Sequence, residues 1–459
     1  MNSTDAVVVG GGLAGITAAL DLADAGLSVV LLERKGSLGG ATYSFRRNGL
    51  TFDNGQHVFL RSCTSYRRLL DRLGVGKKVE LQDRLEIQVL RPGGRPALLR
   101  RSLGPAPLHL VGSLARYSPL TVQDRLSVAN AFRAIRRLDP DDHALDAVAF
   151  GAWMDSQCQS REAREAVWDL LLRATCNISA EECSLQNATR VVRTGLLDSV
   201  DAGDIGWSGV PLAELHGGAA QSALSTAGVE VRSGWEVSSV QGRPAAGSKD
   251  RRWLVDGPGG RIASAAVVMS VPHWSLAALV PPATVPPSLD SLGTSPIVNV
   301  QVVFDRRVTD VEMAAVVHSP LQWVFDRSRA VGLAEGQCIG VSLSGAEEWL
   351  GGRPQTVVST VLAALGEIFG KVSQARVTDA VVTRERFATF RASAGSGALR
   401  PGPRTSAPGL YLSGAWTATG WPATMEGAVL SGHAAASCVV ADLSSKGNAE
   451  LADQSTRAF

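Results

Sequence analysis

The chain has 459 residues, of which 45% are hydrophobic and 19% charged, and its formal net charge is +2. This composition excludes an intrinsically disordered chain, the length allows about two to four domains, and the near balance of charge gives no indication of a nucleic-acid partner. The six cysteines form no CxxC pair and no Cys/His cluster with zinc spacing, so we expect free thiols, no metal site and a reducing compartment.

The amino-terminal residues carry no secretory signal. Residues 1–5 are polar and lack a basic region, and no uncharged apolar stretch of about 18 residues follows in the chain. We therefore expect a cytoplasmic protein without a transmembrane helix.

The first structured residues follow a strand–helix–strand pattern. Residues 6–9 predict a buried strand, residues 13–25 a helix that Gly26 ends, and residues 28–32 a second strand. A span of about thirty residues is typical of a βαβ unit.

A G-x-G-x-x-G motif joins this strand to this helix. Gly10 predicts the tight turn after the strand, Gly12 a close approach of a pyrophosphate to the backbone, and Gly15 close packing of the helix on the sheet. Glu33 lies about twenty residues after this motif, at the end of the second strand. In dinucleotide-binding folds an acidic residue at this place binds the ribose hydroxyls and repels a 2′-phosphate. The pattern therefore predicts a dinucleotide, FAD or NAD rather than NADP.

The rest of the chain alternates between helical and strand-rich segments. A hairpin is predicted around residues 92–94, and a Pro-rich linker at 281–287. Helices are predicted at 121–138, 146–175, 354–369 and 424–443, and strands at 229–231, 237–240, 267–271, 297–304, 321–325, 338–344, 377–383 and 409–413.

These segments predict interleaved domains. Residues 1–80, 205–280 and 400–443 are assigned to a Rossmann-like cofactor domain. Residues 81–204, mostly helical, and 281–399, rich in strands, are assigned to a mixed α+β substrate domain. The predicted fold class is α/β.

Two further glycine-containing segments distinguish FAD from NAD. Gly39-Gly40-Ala41-Thr42 follows the ribose acid, and residues 409–428 read as a strand, a loop containing Gly414 and a helix that starts near Thr424. Together with the first motif, these segments resemble the superfamily of flavin amine oxidases and carotenoid desaturases. The resemblance implies that FAD is the cofactor and that the last helix directs its N-terminal N–H groups at the flavin.

The resemblance implies a set of cofactor contacts spread over the whole chain. They are Gly10, Gly12, Leu13, Ala14, Gly15, Glu33, Arg34, Gly39, Gly40, Ala41, Thr42, Gly55, Gln56, His57, Val58, Val237, Gly414, Ala415, Ala423, Thr424 and Met425. One position departs from the pattern: the superfamily carries an acid where Ala415 stands. Its loss predicts weaker FAD binding, replacement by a water, or a chain that keeps the fold as a scaffold.

Other segments resemble one branch, the hydroxysqualene dehydroxylases, also called squalene-associated FAD-dependent desaturases. The similar segments are 105–110, 116–117, 150–155, 167–170, 174–177, 385–390 and 399–405, and the resemblance extends from residue 6 to about 440. It implies reductive removal of an allylic hydroxyl from a C30 isoprenoid, giving squalene. Carotenoid desaturation of a phytoene type is the alternative, and an amine oxidase with an aromatic cage from Trp416 and Trp421 is the third.

The catalytic groups stay open at this point. His57 and Asp53 are weak candidates for the proton donor, because they lie in a turn on the flavin side. We expect a long-chain isoprenoid substrate, an unidentified electron donor, no nucleic acid, and peripheral contact with the inner face of a membrane. The stretch 98–120, with its arginines, fits either an interfacial patch or a packed helix pair with solvated arginines.

Overall fold

The computed structural model of the protein describes residues 3–244 and 251–457. Its strands, in chain order, are β1 (Ser3–Val9), β2 (Val29–Glu33), β3 (Ser44–Arg47), β4 (Leu50–Asp53), β5 (Val58–Leu60), β6 (Val79–Leu81), β7 (Glu86–Leu90), β8 (Ala97–Arg100), β9 (Ile205–Ser208), β10 (Glu230–Ser233), β11 (Ser239–Pro244), β12 (Arg251–Gly257), β13 (Gly260–Met269), β14 (Thr294–Phe304), β15 (Met313–Val316), β16 (Trp323–Asp326), β17 (Gln337–Ser344), β18 (Val377–Phe390) and β19 (Leu410–Leu412).

Its α-helices are of very unequal length, and three π-helical segments (164–169, 193–197 and 213–218) adjoin them. In chain order the helices are α1 (Leu13–Asp24), α2 (Thr64–Arg72), α3 (Val111–Arg116), α4 (Val122–Ile135), α5 (Phe150–Ser156), α6 (Arg161–Ala163), α7 (Leu170–Cys176), α8 (Leu185–Val192), α9 (Ala219–Thr226), α10 (His273–Leu276), α11 (Ser328–Val331), α12 (Pro354–Ile368), α13 (Ser396–Leu399) and α14 (Met425–Arg457).

The first sheet is the Rossmann-like element that the sequence predicts. Its strand order is β10-β2-β1-β13-β12-β11, with β19 paired to the second half of β13. β10, β2, β1, β13 and β19 are parallel, and the β11–β12–β13 meander is antiparallel. Alternate residues of β1 enter two separate cores, because side chains along a strand point to opposite faces. Both faces are therefore covered, which explains the uninterrupted apolar runs.

The second sheet carries polar side chains on the face that looks toward the first domain. Its order is β18-β14-β17-β16-β15-β7-β8, and every pairing except β15–β7 is antiparallel. Val298, Val300 and Val302 of β14 share a core with α12. Asn299 and Gln301 alternate with them and bond to the 53–55 turn instead.

The helical region between the sheets is more broken than the periodicity predicts. The predicted helix 121–138 is present as Val122–Ile135, begun by a capping box between Thr121 and Asp124. The predicted helix 146–175 is instead three helices with a π-helical turn, interrupted at Cys158, whose φ is +50°. Trp168 fills this region and donates its indole N–H to the Gln159 side chain at 2.9 Å. Packing around the Trp168 ring therefore divides the segment that the apolar periodicity predicts as one continuous helix.

Several elements were not predicted from the sequence, among them β3, β4, β5, β6, β9, β15, α2 and α8. Strands β5 and β6 have three residues each and pair with β9, at sequence separations from 125 (Leu81 with Gly206) to 149 (Val58 with Trp207). The predicted linker at 281–287 is present as short turns between the two sheets.

The start of the last helix is unusually apolar. Residues Met425–Ser445 are long and apolar enough, by length and composition, to cross a membrane. Val429, Ala435 and Val439 are buried, in the same core as residues of α1. Its uncharged run, residues 427–441, is shorter than the stretch of about 18 residues that the sequence analysis considered, and packing on α1 accounts for its apolar face.

Candidate cofactor-binding and active site

The Gly10–Gly15 loop forms an anion cradle at the start of α1. Gly10 has φ +108°, and a Cβ at Gly15 would lie 1.9 Å from the Gly10 carbonyl oxygen. A Cβ at Gly12 would meet only the Gly40 Cα, at 3.8 Å, so the space above Gly12 is open. α1 has neither a side-chain cap nor an acidic residue in its first turn. Its first N–H groups, which include those of Leu13 and Ala14, are thus available to an anion.

Glu33 lies at the carboxyl end of β2, beside this loop. The side chain is buried; one oxygen accepts the Gly11 N–H at 2.7 Å and the other the Lys35 N–H at 2.8 Å. Each oxygen keeps a further lone pair for a ribose hydroxyl. Arg34 is exposed, whereas Val237 is buried in the core that also contains Leu32.

The Gly39-Gly40 pair packs directly on the first loop. The Gly39 N–H donates to the Gly11 carbonyl at 2.9 Å, and a Cβ at Gly40 would lie 2.7 Å from the Gly12 Cα. Both glycines have positive φ, at +112° and +61°. Two turns separated by 24 residues therefore form one glycine-lined groove.

Thr42 connects this groove to a buried histidine that the sequence analysis missed. The Thr42 hydroxyl lies 2.8 Å from His216 Nδ1, and the Tyr66 hydroxyl lies 2.8 Å from Nε2. Burial, followed by the charge of His57, lowers the pKa of His216 to about 3, so the ring is neutral. Ala41, between Gly40 and Thr42, is exposed. His216 lies 174 residues from Thr42, and no local pattern marks it.

The 413–417 turn closes the same edge of the sheet. Ser413 donates its N–H to the Met269 carbonyl at 2.9 Å, and Gly414, with φ +143°, donates to Ser431 at 2.7 Å. The hydroxyls of Ser413 and Ser270 are buried without a hydrogen-bond partner among residues 3–244 and 251–457. Both follow the ends of neighbouring parallel strands, where the sheet binds ligands. Unpaired buried hydroxyls of this kind indicate a polar ligand.

Arg400 stabilises the 413–417 turn through hydrogen bonds to its backbone. Its guanidinium donates to the carbonyls of Ala415 (3.2 Å), Trp416 (3.3 Å) and Thr417, and it lies 4.6 Å from the Phe390 ring centre. Burial lowers the pKa of Arg400 to about 10, although the charge of Asp146 opposes the shift.

The 53–57 turn joins the two domains beside the groove. Asp53 forms a buried ion pair with Arg327 at 2.5 Å and accepts the Ser44 hydroxyl at 2.6 Å and the Leu212 N–H at 2.9 Å. Gln301 donates to the Asp53 carbonyl at 2.8 Å.

The same turn packs tightly on β14. Asn299 donates to the Asn54 carbonyl at 3.1 Å, and a Cβ at Gly55 would lie 2.4 Å from the Asn299 amide nitrogen. The side-chain oxygens of Gln56 and Gln301 are buried, have no hydrogen-bond partner in the part of the chain that the structure describes, and line a small cavity with Arg327. Arg327, Asn299 and Gln301 were not predicted. The signal that could have found the last two is polar residues alternating within an apolar strand.

Comparison with known proteins identifies the family. Residues 13–440 match the sequence profile of the family described as flavin containing amine oxidoreductase. The chain belongs to this family. It is an FAD-dependent oxidoreductase with a Rossmann-like domain interleaved with a mixed α+β domain, as the sequence predicted.

Curated proteins similar to the oxidoreductase include members of two groups. A hydroxysqualene dehydroxylase of Rhodopseudomonas palustris is 28% identical over 443 residues, which cover 95% of this chain and 98% of that protein. A second, from Sinorhizobium fredii, is 27% identical over 454 residues, with 95% and 98% covered. A 15-cis-phytoene desaturase of an Oncidium hybrid cultivar is 25% identical over 485 residues, with 99% and 81% covered.

A solved structure shares the fold of the oxidoreductase. Putrescine oxidase bound to putrescine superposes with a TM-score of 0.72 at 18% sequence identity, and the match covers 96% of this chain and 99% of that one. At this identity the likeness concerns the fold alone. The glycine groove, the open first turn of α1 and the two unpaired serine hydroxyls fit the FAD that the family uses.

The start of α14 is only partly free for the flavin in this oxidoreductase. The Thr424 hydroxyl accepts the Gly427 N–H at 3.1 Å and so caps the third position of the helix. Met425 is the first helical residue, and Ala423 is half-buried just before it. The N-terminal donors that the sequence analysis directs at the flavin are thus reduced to those of Met425 and Glu426.

Glu426 links α14 to α2, and its loss is expected to destabilise the protein. The buried carboxylate accepts the N–H groups of Ser65 at 3.1 Å and Tyr66 at 2.7 Å, so it caps α2 from a distance. We expect Glu426→Gln to lower the free energy of unfolding by about 1–2 kcal/mol. Urea denaturation of both proteins measures this difference. Glu335→Gln at an exposed position is the control, and an equal effect there would contradict the capping role.

The surroundings of His57 disfavour the protonated form of its ring. Burial, reinforced by the positive charge of Arg327, lowers its pKa to about 4. The ring is therefore neutral at physiological pH, and only a small fraction of the molecules carry the protonated imidazolium form. Val58, the next residue, lies on β5 with 37% of its surface exposed. The role of His57 as a proton donor to a leaving group stays a prediction.

A pH profile tests this conclusion about His57. Since its pKa lies near 4, we expect His57→Gln to leave the shape of kcat/KM against pH unchanged between about pH 5.5 and 8, whatever its effect on the absolute rate. The measurement compares both proteins across that range. Loss of a limb of the profile in the variant would show that His57 titrates during catalysis.

Proposed function

We propose that the oxidoreductase removes the allylic hydroxyl of hydroxysqualene reductively, giving squalene. The observation that carries the proposal is similarity over the full length of both partners: two hydroxysqualene dehydroxylases match over 95% of this chain and 98% of their own. A specific activity is encoded in the substrate domain as well as in the cofactor loops, and this match spans both.

The residues of the glycine groove would hold FAD. The open N-terminus of α1 and the backbone at Gly12 fit a pyrophosphate, and the Glu33 carboxylate fits ribose hydroxyls. The hydroxyls of Ser270 and Ser413 fit the polar chain between the pyrophosphate and the ring. Reduced FAD, when bound, supplies the hydride that replaces the hydroxyl. The net reaction converts the alcohol and reduced FAD to the alkene, water and oxidised FAD.

The leaving hydroxyl also needs a proton, because hydroxide leaves poorly. His57 is neutral, and Asp53 is engaged with Arg327, Ser44 and Leu212. We therefore place the acid outside the 53–57 turn. The role we propose for this turn is to hold the two domains in register around the cofactor.

The second candidate is desaturation of a phytoene-type carotenoid precursor, in which hydride passes from the substrate to the flavin. The similarity to 15-cis-phytoene desaturases supports it, because one of them matches 99% of this chain. An amine oxidase has less support. Trp416 donates its indole N–H to the Val271 carbonyl and packs in one core, whereas Trp421 packs against another.

One experiment separates the two leading candidates. The FAD-loaded protein is reduced under anaerobic conditions and incubated with hydroxysqualene, and squalene is measured by gas chromatography with mass detection. We expect squalene in proportion to the reduced flavin consumed. Failure to form squalene, together with desaturation of phytoene by the oxidised protein with a quinone acceptor, would overturn the proposal in favour of the second candidate.

Ala415 allows a test of the scaffold alternative. Its carbonyl accepts Arg400 at 3.2 Å, so an acidic side chain at this residue would lie near a buried cation and near the proposed FAD site. We expect Ala415→Asp to bind FAD about tenfold more tightly, roughly 1.4 kcal/mol. Flavin fluorescence during titration of the apoprotein measures the affinity. A wild-type protein that is colourless and cannot be reconstituted would instead support a scaffold.

A further inference from the structure

Exposed apolar side chains concentrate in one segment of the chain, from β8 to α4. Eleven large hydrophobic side chains are exposed in the part of the chain that the structure describes, and six of them lie between residues 98 and 126. The six, with their exposed fractions, are Leu98 (43%), Leu103 (86%), Leu108 (61%), Val111 (57%), Val122 (69%) and Leu126 (63%). A cluster of this kind marks an interaction surface rather than scattered surface residues. We name it the 98–126 face.

Hydrogen bonds connect the elements that carry the 98–126 face. The Ser113 hydroxyl accepts the Arg100 N–H at 2.8 Å and donates to the Leu98 carbonyl at 3.2 Å, which ties α3 to β8. Arg125 donates to the carbonyls of Ala115 at 2.8 Å and Tyr117 at 3.1 Å, which ties α4 to α3. Tyr117 is fully buried beneath them. The exposed side chains therefore stand on an ordered support.

The same region is strongly basic. Residues 91–137 contain nine arginines and a single acidic residue, Asp124, so their formal charge is +8 in a chain whose net charge is +2. Asp124 is half of the capping box of α4. The arginines are Arg91, Arg95, Arg100, Arg101, Arg116, Arg125, Arg133, Arg136 and Arg137.

Most of these arginines have no acidic partner. Arg100 pairs with Glu86 and Arg101 with Asp204, but no ion pair is present for the other seven within residues 3–244 and 251–457. On α4, Val122, Leu126 and Arg133 fall within about 40° of one another around the helix axis. Apolar and cationic side chains thus share one stripe.

We infer that the 98–126 face seats the protein on an anionic lipid surface. Exposed leucine and valine side chains can insert between the lipid headgroups as far as the start of the acyl chains. The arginines around them can then bind the lipid phosphates. A second copy of the chain is an unfavourable partner for this face. A two-fold symmetric interface would place two segments of formal charge +8 against each other, and they would repel. The inference concerns where the protein sits and does not depend on the substrate proposed above.

Vesicle flotation of the FAD-loaded full chain tests this inference. The probes are vesicles of phosphatidylcholine alone and vesicles with about one third phosphatidylglycerol. We expect binding to the anionic vesicles that weakens with added salt and is at least about tenfold weaker to the neutral ones. Equal binding to both vesicle types, or binding to neither, would overturn the inference.

Paired variants locate the contact. Leu103→Glu with Leu108→Glu changes two exposed side chains, so we expect folding and the flavin spectrum to be kept and vesicle partitioning to fall at least about tenfold. Arg116→Gln with Arg133→Gln, which leaves seven of the nine arginines, should weaken the preference for anionic lipid. Phe387→Glu is the control: it is 54% exposed and lies on β18, at the opposite edge of the second sheet from β8.

Two outcomes would contradict the assignment. Unchanged partitioning of the Leu103→Glu/Leu108→Glu variant, or an equal loss in Phe387→Glu, would show that this face does not make the contact. Loss of a concentration-dependent dimer in the leucine variant, measured by light scattering without vesicles, would assign the face to a second copy instead.

Discussion

Gly12→Ala is expected to abolish tight FAD binding while leaving the apoprotein as stable as the wild type. The residue has φ −76° and ψ 177°, which alanine adopts readily, and its new Cβ would meet only the Gly40 Cα at 3.8 Å. The methyl group would instead occupy the space above the loop, where we place the pyrophosphate. We expect FAD affinity to fall at least about tenfold, or 1.4 kcal/mol, and the melting temperature of the apoprotein to change little.

The control for Gly12→Ala is Gly218→Ala. Gly218 is an exposed helical glycine at which an added Cβ meets nothing within 4 Å, so neither FAD affinity nor folding should change. Gly15→Ala offers a contrast: its Cβ would lie 1.9 Å from the Gly10 carbonyl oxygen, and the apoprotein itself should lose stability. Fluorescence titration and thermal unfolding measure both properties. Wild-type FAD affinity in Gly12→Ala would refute the proposed cradle.

Arg327→Met is expected to be among the most destabilising single changes in this protein. Arg327 and Asp53 have 5% and 2% of their side-chain surfaces exposed, and the pair joins the substrate domain to the 53–57 turn. Removing one partner of a buried ion pair leaves an uncompensated charge and typically costs about 3–5 kcal/mol. Urea denaturation gives the difference in free energy of unfolding. Arg329→Met, at an 80% exposed position paired with Glu80, is the matched control and should cost under about 1 kcal/mol.

The pH dependence of the same variant gives an independent measurement. Burial raises the pKa of Asp53 even though Arg327 lowers it, so removing Arg327 should raise that pKa further. When the pKa of a carboxyl group is higher in the folded than in the unfolded protein, the free energy of unfolding decreases as the pH rises from the unfolded pKa to the folded pKa. The deficit of Arg327→Met should thus be larger at pH 8 than at pH 5, and Asp53→Asn in the same chain should recover part of it. A deficit independent of pH would contradict this account.

The cofactor elements were predictable from the sequence because their causes are local. A glycine that must turn with positive φ, as at Gly10 and Gly39, has no common substitute, and a buried parallel strand requires a continuous apolar run. Glu33 was placed correctly at the end of β2 for the same reason. Each of these signals lies within a few residues of the structure that it specifies.

The surroundings of the candidate site were not predictable, because they form between segments far apart in the chain. Arg327 meets Asp53 across 274 residues, His216 meets Thr42 across 174, and Gln301 meets the Asp53 carbonyl across 248. The protonation of His57 depends on burial and on the charge of Arg327, neither of which its neighbours in sequence reveal.

By itself, the sequence determined the α/β fold and the glycine loops, since these depend on backbone conformation and strand periodicity. FAD and the missing acid at Ala415 followed from the resemblance to the flavin superfamily. Only the tertiary structure decided the state of His57, the ion pair of Asp53 and Arg327, and the gathering of six exposed apolar side chains on the 98–126 face. The physical reason is that desolvation, ion pairing and exposure are properties of a side chain's neighbours in space, which are set when distant segments pack together.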